Sequence, residues 1–284
     1  MKKKHIALGI IIFTAVFVCG TVCGYFLSVS NNLLIQQTSS VSSSLSASYS
    51  TESTYQKSET STVPTTQSET SSGTEEGWPG DGYNYLAIGN SITRHEITSF
   101  WWNDIGMAAS DEDRDYFHIV LKNLKTTHEN VSGTTCNLYG WESQSHDRDG
   151  ALYLLDGYLS PNLDLVTVQL GENVDDLSTF ESDFLSLLLY IKEKAPNARI
   201  IVVGDFWNKE NRDELKEKVA KEAGADFVSL DGIANNKAYY RGMGSYVYDK
   251  EGNPHLVEHE GVAIHPGDAG MKAIADRIIN TLSQ

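Results

Sequence analysis

The amino-acid sequence predicts an α/β fold, a three-layer α/β/α sandwich with a five-stranded parallel sheet, over residues 80–284. Short apolar runs rich in β-branched residues alternate there with amphipathic segments, which is the pattern of βαβ units. Several of these runs stop at a glycine followed by small polar residues, as buried parallel strands do at the rim of a sheet. The chain has 284 residues, of which 40% are hydrophobic, enough for one domain with a substantial core plus further segments.

Each predicted strand is an apolar run bounded by turn residues, three of the predicted helices carry an apolar face, and the helix at 208–223 is predicted as a charged helix. The predicted strands are residues 84–89, 134–139, 164–170, 199–204 and 226–230. The predicted helices are residues 111–127, 177–194, 208–223 and 269–282. Residues 232–264 lack either period and are interpreted as an irregular insertion before the last helix.

The N-terminal segment predicts a single-pass membrane anchor. Residues 1–5 are basic and residues 6–29 are apolar without a charge, which is long enough to cross a hydrocarbon core about 30 Å thick. Lysines before the span and acidic residues after it predict a cytoplasmic N-terminus and an extracellular domain. A cleaved signal peptide is the alternative, although no small-residue cleavage site closes the span. Lipidation at Cys19 or Cys23 is a weaker alternative, because the residues before them lack the lipoprotein pattern.

A tether is predicted between the anchor and the domain, over residues 30–79. Serine and threonine make up 23 of the 37 residues at positions 38–74, so the segment has too little apolar surface to offset its ordering entropy and is expected to be disordered. A flexible coil of about 50 residues spans roughly 40 Å end to end. The domain is therefore expected to reach wall or extracellular polymer from the membrane.

Charge and cysteine content exclude two other classes of protein. The net charge is −16, which argues against nucleic acid as a partner because phosphate binding needs a basic face. Of three cysteines, two lie in the apolar leader, so no disulfide framework is expected and Cys136 is interpreted as a buried small residue.

The predicted first strand ends at Gly89-Asn90-Ser91, and we interpret Ser91 as a nucleophile. An α/β sheet places ligands at the carboxyl ends of its strands, and a glycine there permits the sharp turn that presents a serine hydroxyl to a crevice. An ordinary strand-to-helix turn capped by Asn and Ser is the alternative.

Four short blocks occur in order along the domain: Gly89-Asn90-Ser91, Tyr139-Gly140, Gly171-Glu172-Asn173 and Ile264-His265-Pro266-Gly267-Asp268. This set resembles the SGNH/GDSL hydrolase family over residues 83–284, and the string Gly-Asn-Ser-Ile-Thr-Arg-His resembles a subgroup of bacterial secreted or surface esterases. The resemblance implies a flavodoxin-like arrangement of the sheet and a serine ester hydrolase that needs no cofactor or metal.

Carried over to this sequence, the resemblance implies that Ser91 attacks an ester carbonyl while His265 takes its proton and passes it to the leaving alcohol. The N–H groups of Ser91 and Gly140 and the side-chain amide of Asn173 would then form the oxyanion hole. Asn173 lies in Gly-Glu-Asn-Val rather than the family's usual Gly-x-Asn-Asp.

One catalytic position departs from the family pattern. The family has an aspartate three residues before the histidine, and here that residue is Val262. The imidazole still needs a partner that fixes its tautomer. We favour a main-chain carbonyl near Val262, and the carboxylates of Glu258 and Glu260 are the alternatives.

Further residues admit a functional and a structural interpretation, and we favour the structural one in each case. His95 is expected in a solvated position rather than in the pocket. Trp101, Trp102 and Trp141 could stack on a sugar but are more commonly packed under loops. The spacing of Asp111, Asp113 and Asp115 resembles a calcium loop but lacks its glycine and closing glutamate, and favours an acidic helix start.

The sequence therefore predicts an extracellular serine esterase that removes small acyl groups, acetyl in particular, from a carbohydrate or cell-wall polymer. A glycan-binding module without catalysis, suggested by the missing aspartate, and an acyltransferase remain as alternatives.

Overall fold

The structure, a computed structural model, describes residues 77–144, 146–209 and 212–284. The predicted cytoplasmic N-terminus, the predicted anchor at residues 6–29 and nearly all of the predicted tether lie outside these ranges. Within them, no helix is both long enough and apolar enough to cross a membrane. Trp78 and Pro79, at the end of the predicted tether, hydrogen-bond to the domain: Trp78 Nε1 donates to the carbonyl of Tyr158 at 2.6 Å, and the Pro79 carbonyl accepts from Asn84.

The predicted five-stranded parallel sheet is confirmed. Its strands are β1 (Tyr83–Gly89), β2 (Val131–Asn137), β3 (Leu165–Gln169), β4 (Arg199–Val203) and β5 (Asp226–Val228). Their order in the sheet is β2-β1-β3-β4-β5, and all neighbouring pairs are parallel. This is the doubly wound, flavodoxin-like order, in which the chain reverses direction across the sheet between β1 and β3 and opens a crevice there.

Two helical layers cover the sheet. The longer helices are α1 (Tyr116–Thr127), α3 (Phe180–Lys194), α4 (Arg212–Ala223) and α6 (Asp268–Leu282), and the short ones are α2 (Tyr139–Ser143) and α5 (Glu260–Ile264). Side chains alternate along β1, so that Tyr85 and Ala87 pack in one hydrophobic core with α1 and α6, whereas Leu86 and Ile88 pack in a second core with α3 and α4. Because both faces are covered, β1 is an almost continuous buried run.

Element boundaries differ from the prediction where side chains interrupt the backbone pattern. The predicted helix at 111–127 is divided by Asp115, which separates a 3₁₀ turn from α1 and accepts a hydrogen bond from the His118 N–H at 2.7 Å. Asp111 similarly accepts from the N–H of Glu112. Both aspartates are therefore helix caps, in agreement with the acidic helix start favoured from the sequence.

Two other boundaries are corrections. The strand predicted at residues 134–139 is β2 and ends two residues earlier, because the chain turns there into α2: the Leu138 N–H donates to the Gly89 carbonyl. The predicted irregular insertion at residues 232–264 contains a two-stranded antiparallel hairpin, β6 (Tyr246–Tyr248) with β7 (Pro254–Leu256), followed by α5.

Candidate active site

Ser91 lies two residues beyond the end of β1, at the crevice that the strand order creates. β1 is flanked by β2 and β3, so the segments that follow all three strands meet around this serine. Gly89 is required at the turn, because a Cβ there would lie 1.8 Å from the hydroxyl of Thr93. The Asn90 side-chain oxygen accepts the Ile92 N–H at 3.0 Å and so fixes the turn on either side of Ser91.

The structure brings Ser91 and His265 together, although they are separated by 174 residues in sequence. Ser91 Oγ lies 2.8 Å from His265 Nε2. His265 caps the C-terminus of α5, and its carbonyl accepts the N–H of Arg241 at 2.9 Å. The Arg241 guanidinium also bonds to Asp268 and to the Ala108 carbonyl. Arg241 therefore ties the histidine segment to the start of α6 and to the loop that follows the nucleophile.

A main-chain carbonyl orients the imidazole, as favoured from the sequence. His265 Nδ1 lies 2.5 Å from the carbonyl oxygen of Gly261. A carbonyl can only accept a hydrogen bond, so Nδ1 carries the proton and Nε2 presents a lone pair to the Ser91 hydroxyl, which donates. Glu258 and Glu260 are exposed, and within the described ranges neither forms a hydrogen bond to His265.

Val262, at the position where the sequence resemblance leads one to expect an aspartate, has its side chain buried in the hydrophobic core. Burial lowers the pKa of His265 to about 4; the hydrogen bond to the Gly261 carbonyl opposes this shift, and the neighbouring imidazoles of His95 and His259 lower the pKa slightly further. His265 is only 9% exposed. The imidazole is therefore neutral, and competent as a base, over the whole physiological pH range.

Two of the predicted oxyanion donors, the main-chain N–H groups of Ser91 and Gly140, form no hydrogen bond within the described part of the chain. Gly140 is the second residue of α2, where a helix has no internal acceptor for its N–H. The third predicted donor, Asn173, is exposed, and its Nδ2 donates one hydrogen bond to Glu142 at 2.7 Å. One N–H of this amide is left for another acceptor.

A network of buried polar side chains lies beneath these donors, and sequence reasoning missed it. Asn90 Nδ2 donates to Glu142 at 3.2 Å and to Glu172 at 2.8 Å. Glu172 also accepts from Gln169 and from the N–H of Phe206. Burial raises the pKa of both glutamates; the neighbouring Asp205 carboxylate raises that of Glu172 further, and the hydrogen bond from Asn173 opposes the shift at Glu142.

Two fully buried cations balance the deeper end of this network. Arg212 and Lys216, both on α4, bind the carboxylate of Asp205, with Lys216 Nζ 2.8 Å from it. Asp205 and both cations have no exposed surface. The sequence signal for α4 was only that of a charged, solvated helix, so its inward-facing cations could not be distinguished from the exposed ones.

Aromatic residues near the site have different roles from one another. Trp101 and Trp141 are fully buried, which favours the structural interpretation. Trp102 is half-buried and stacks on His255 with a centroid distance of 4.5 Å. Trp207 was not singled out from the sequence, yet its indole contacts the His265 ring edge to face at 4.6 Å. In the sequence, the one feature that could have indicated this role for Trp207 was its position shortly after the end of a predicted strand.

In the described ranges, no group of three or more His, Cys, Asp or Glu side chains is arranged to hold a metal ion. His95 is half-buried, and its Nδ1 bonds to the main chain of Glu96.

No protein-family model matches the sequence, and no curated protein matches it.

Solved structures with a similar fold include a two-domain esterase active on acetylated mannans, with 17% identity and a TM-score of 0.44; the match covers 71% of this chain and 48% of that one. A family two carbohydrate esterase from Clostridium thermocellum, solved as an active-site mutant, has 16% identity and a TM-score of 0.46, with coverages of 71% and 63%. An extracellular lipase from Streptomyces rimosus has 15% identity and a TM-score of 0.40, with coverages of 70% and 99%. This chain thus spans about half the length of the two-domain esterase.

Proposed function

We propose that this protein is a serine ester hydrolase that works with a Ser91–His265 dyad. The observation that carries the proposal is the pair of hydrogen bonds on one imidazole: 2.8 Å from Nε2 to Ser91 Oγ, and 2.5 Å from Nδ1 to the Gly261 carbonyl. Together they define which ring nitrogen is basic and direct it at a hydroxyl in a crevice.

The proposed reaction has two steps. Ser91 Oγ forms a bond to the acyl carbon while His265 Nε2 takes the hydroxyl proton, and the tetrahedral adduct collapses as that proton passes to the leaving alcohol. Water then attacks the acyl-serine, its proton moves to Nε2, and the acid leaves as Ser91 regains its proton. Both steps pass through an oxyanion, for which the N–H groups of Ser91 and Gly140 and the free N–H of Asn173 are the proposed donors.

The finer proposal concerns the substrate: a short acyl group, acetyl in particular, on a carbohydrate or cell-wall polymer. Trp207 beside the His265 ring and Leu154 beside Gly140 are bulky neighbours that favour a short acyl chain. Tyr139, immediately before Gly140, is 47% exposed, and exposed aromatic faces suit contact with sugar rings. The extracellular position and the membrane tether proposed for this enzyme rest on the N-terminal sequence pattern alone.

The deciding experiment compares wild type with Ser91→Ala, using the full chain purified in a non-ionic detergent and 4-nitrophenyl acetate as substrate. We expect the variant to lose at least about 10⁴-fold in kcat/KM, because the nucleophile is absent. Equal turnover by the two proteins would refute the proposal. Comparison of 4-nitrophenyl octanoate with 4-nitrophenyl acetate tests the preference for a short acyl chain. Release of acetate from an O-acetylated polysaccharide tests whether the substrate is a carbohydrate.

Labelling with a fluorophosphonate probe separates this proposal from a glycan-binding module on the same scaffold. The probe reacts with an activated serine, so we expect labelling of wild type and none of Ser91→Ala. The main-chain acceptor at Gly261 orients the imidazole without an aspartate, and the missing aspartate was the feature that suggested a non-catalytic module. Product analysis with an added sugar acceptor would reveal acyl transfer.

A further inference from the structure

We propose that Glu142 is a positioning residue for the oxyanion hole, acting through Asn173; this inference rests on the proposed esterase function. Glu142 lies on α2, two residues after Gly140, and is only 2% exposed. Among the described residues it forms no hydrogen bond to Ser91 or His265. Its two carboxylate oxygens instead receive hydrogen bonds from the segments that follow β1 and β3.

The three hydrogen bonds on Glu142 connect the three loops that surround the nucleophile. Oε1 accepts from the Gly171 N–H at 2.6 Å and from Asn90 Nδ2 at 3.2 Å, and Oε2 accepts from Asn173 Nδ2 at 2.7 Å. Glu142 itself follows β2. One buried side chain thus connects the segments carrying the serine, the Gly140 donor and the Asn173 donor.

The chemistry of a carboxylate determines how the Asn173 amide is oriented. Asn173 is exposed, so solvent could hydrogen-bond its amide in either orientation. A carboxylate accepts and does not donate, so only the Nδ2 end of the amide can face Glu142. That contact occupies one of the two Nδ2 hydrogens and fixes the direction of the other, which is the proposed oxyanion donor.

A glutamine at position 142 would reverse this orientation. Its side chain has one donor and one acceptor end, and the acceptor must stay at the Oε1 position because the Gly171 N–H is main chain and cannot turn away. The donor end would then face Asn173, whose amide must rotate to offer its oxygen. The Nδ2 donor would leave the position that an oxyanion needs, while the buried volume would be unchanged.

The test is a double-mutant cycle of Glu142→Gln and Asn173→Ala, with kcat and KM for 4-nitrophenyl acetate measured on the full chain. We expect Glu142→Gln to lower kcat about 30-fold with KM within twofold of wild type, and Asn173→Ala to lower it on the order of 10²–10³-fold. In the Asn173→Ala background, Glu142→Gln should cost less than threefold. Glu96→Gln, at an exposed glutamate five residues after Ser91, is the matched control and should match wild type.

Two outcomes would overturn the positioning role. One is wild-type kcat in Glu142→Gln; the other is an equal loss in both backgrounds, which would indicate a structural role independent of Asn173. Both outcomes are distinguishable from failure of the esterase proposal, because Ser91→Ala in the same assay tests that proposal separately. If Glu142→Gln cannot be purified folded, Glu142→Asp takes its place, because it retains the buried carboxylate on a side chain that is one methylene shorter. Glu142→Asp should lower kcat only when Asn173 is present.

Discussion

The two halves of the candidate site are built from different chemistry. On the nucleophile side, the donors rest on a buried charged network of Glu142, Glu172 and Asp205 with two cations. On the base side, His265 meets a neutral carbonyl, and Val262, three residues before it, is buried in the hydrophobic core. Buried charge thus supports the proposed oxyanion donors, whereas the imidazole is oriented without any.

This difference separates two roles that one aspartate combines in a Ser-His-Asp triad. The acid fixes the imidazole tautomer and also stabilises the imidazolium that forms during reaction. The Gly261 carbonyl supplies the first role fully and the second only through its dipole. We expect a base that stays neutral at lower pH than usual, at the cost of less stabilisation of the imidazolium.

The largest expected effect comes from removing the base. His265→Ala should lower kcat/KM by about 10⁴-fold, because the Ser91 hydroxyl would lose its proton acceptor. Steady-state kinetics with 4-nitrophenyl acetate measure this, and circular dichroism checks that the fold is retained.

Glu258→Gln and Glu260→Gln are the matched controls for this half of the site. Both side chains are exposed, so we expect activity within about twofold of wild type. A hundredfold loss in either variant would show that a carboxylate acts as the partner of His265 during turnover, and the contrast between the two halves would disappear.

An intermediate effect is expected from placing an aspartate three residues before His265. Val262→Asp places a carboxylate in the hydrophobic core, so we expect the free energy of unfolding to fall by roughly 3 kcal/mol with no gain in kcat. Urea denaturation measures the stability change, and Val262→Ala separates loss of volume from burial of charge. A higher kcat at unchanged stability would show that the base side can accommodate an acid.

The smallest expected effect is in the pH profile. The proposed mechanism requires neutral His265, whose pKa is lowered to about 4 by burial, so kcat/KM should be flat at neutral pH and still about 90% of maximal at pH 5. A limb near pH 6.5 would contradict this. Because the unfolded chain takes up this proton at about pH 6.5, stability should fall as pH drops from there toward 4.

The sequence was sufficient for the parts of the molecule that follow from periodicity and short motifs. The five strands and the long helices α1, α3 and α6 follow from apolar patterns, and the Ser91 and His265 blocks stand at a strand end and before an apolar-faced helix. The Gly261 acceptor could be anticipated as a main-chain carbonyl because Val262 excludes the usual acid. Its identity required the path of α5.

The buried network could not be predicted, since charged residues signal exposure unless their partners are known. Glu142, Glu172 and Asp205 each follow a different strand, and only the order of the sheet brings them together. Arg212 and Lys216 lie in a helix that is otherwise rich in exposed charge. The hairpin of β6 and β7 was missed because three-residue strands are too short to establish a period of two.

The 174-residue separation of serine and histidine has a consequence for biosynthesis. During translation the nucleophile emerges early, while its base, together with the Asp268 that Arg241 anchors, is added among the last residues of the domain. A nascent or prematurely terminated chain would therefore carry the serine without its proton acceptor. If the chain is the esterase proposed above, ester cleavage would begin only after nearly the whole domain has been synthesised.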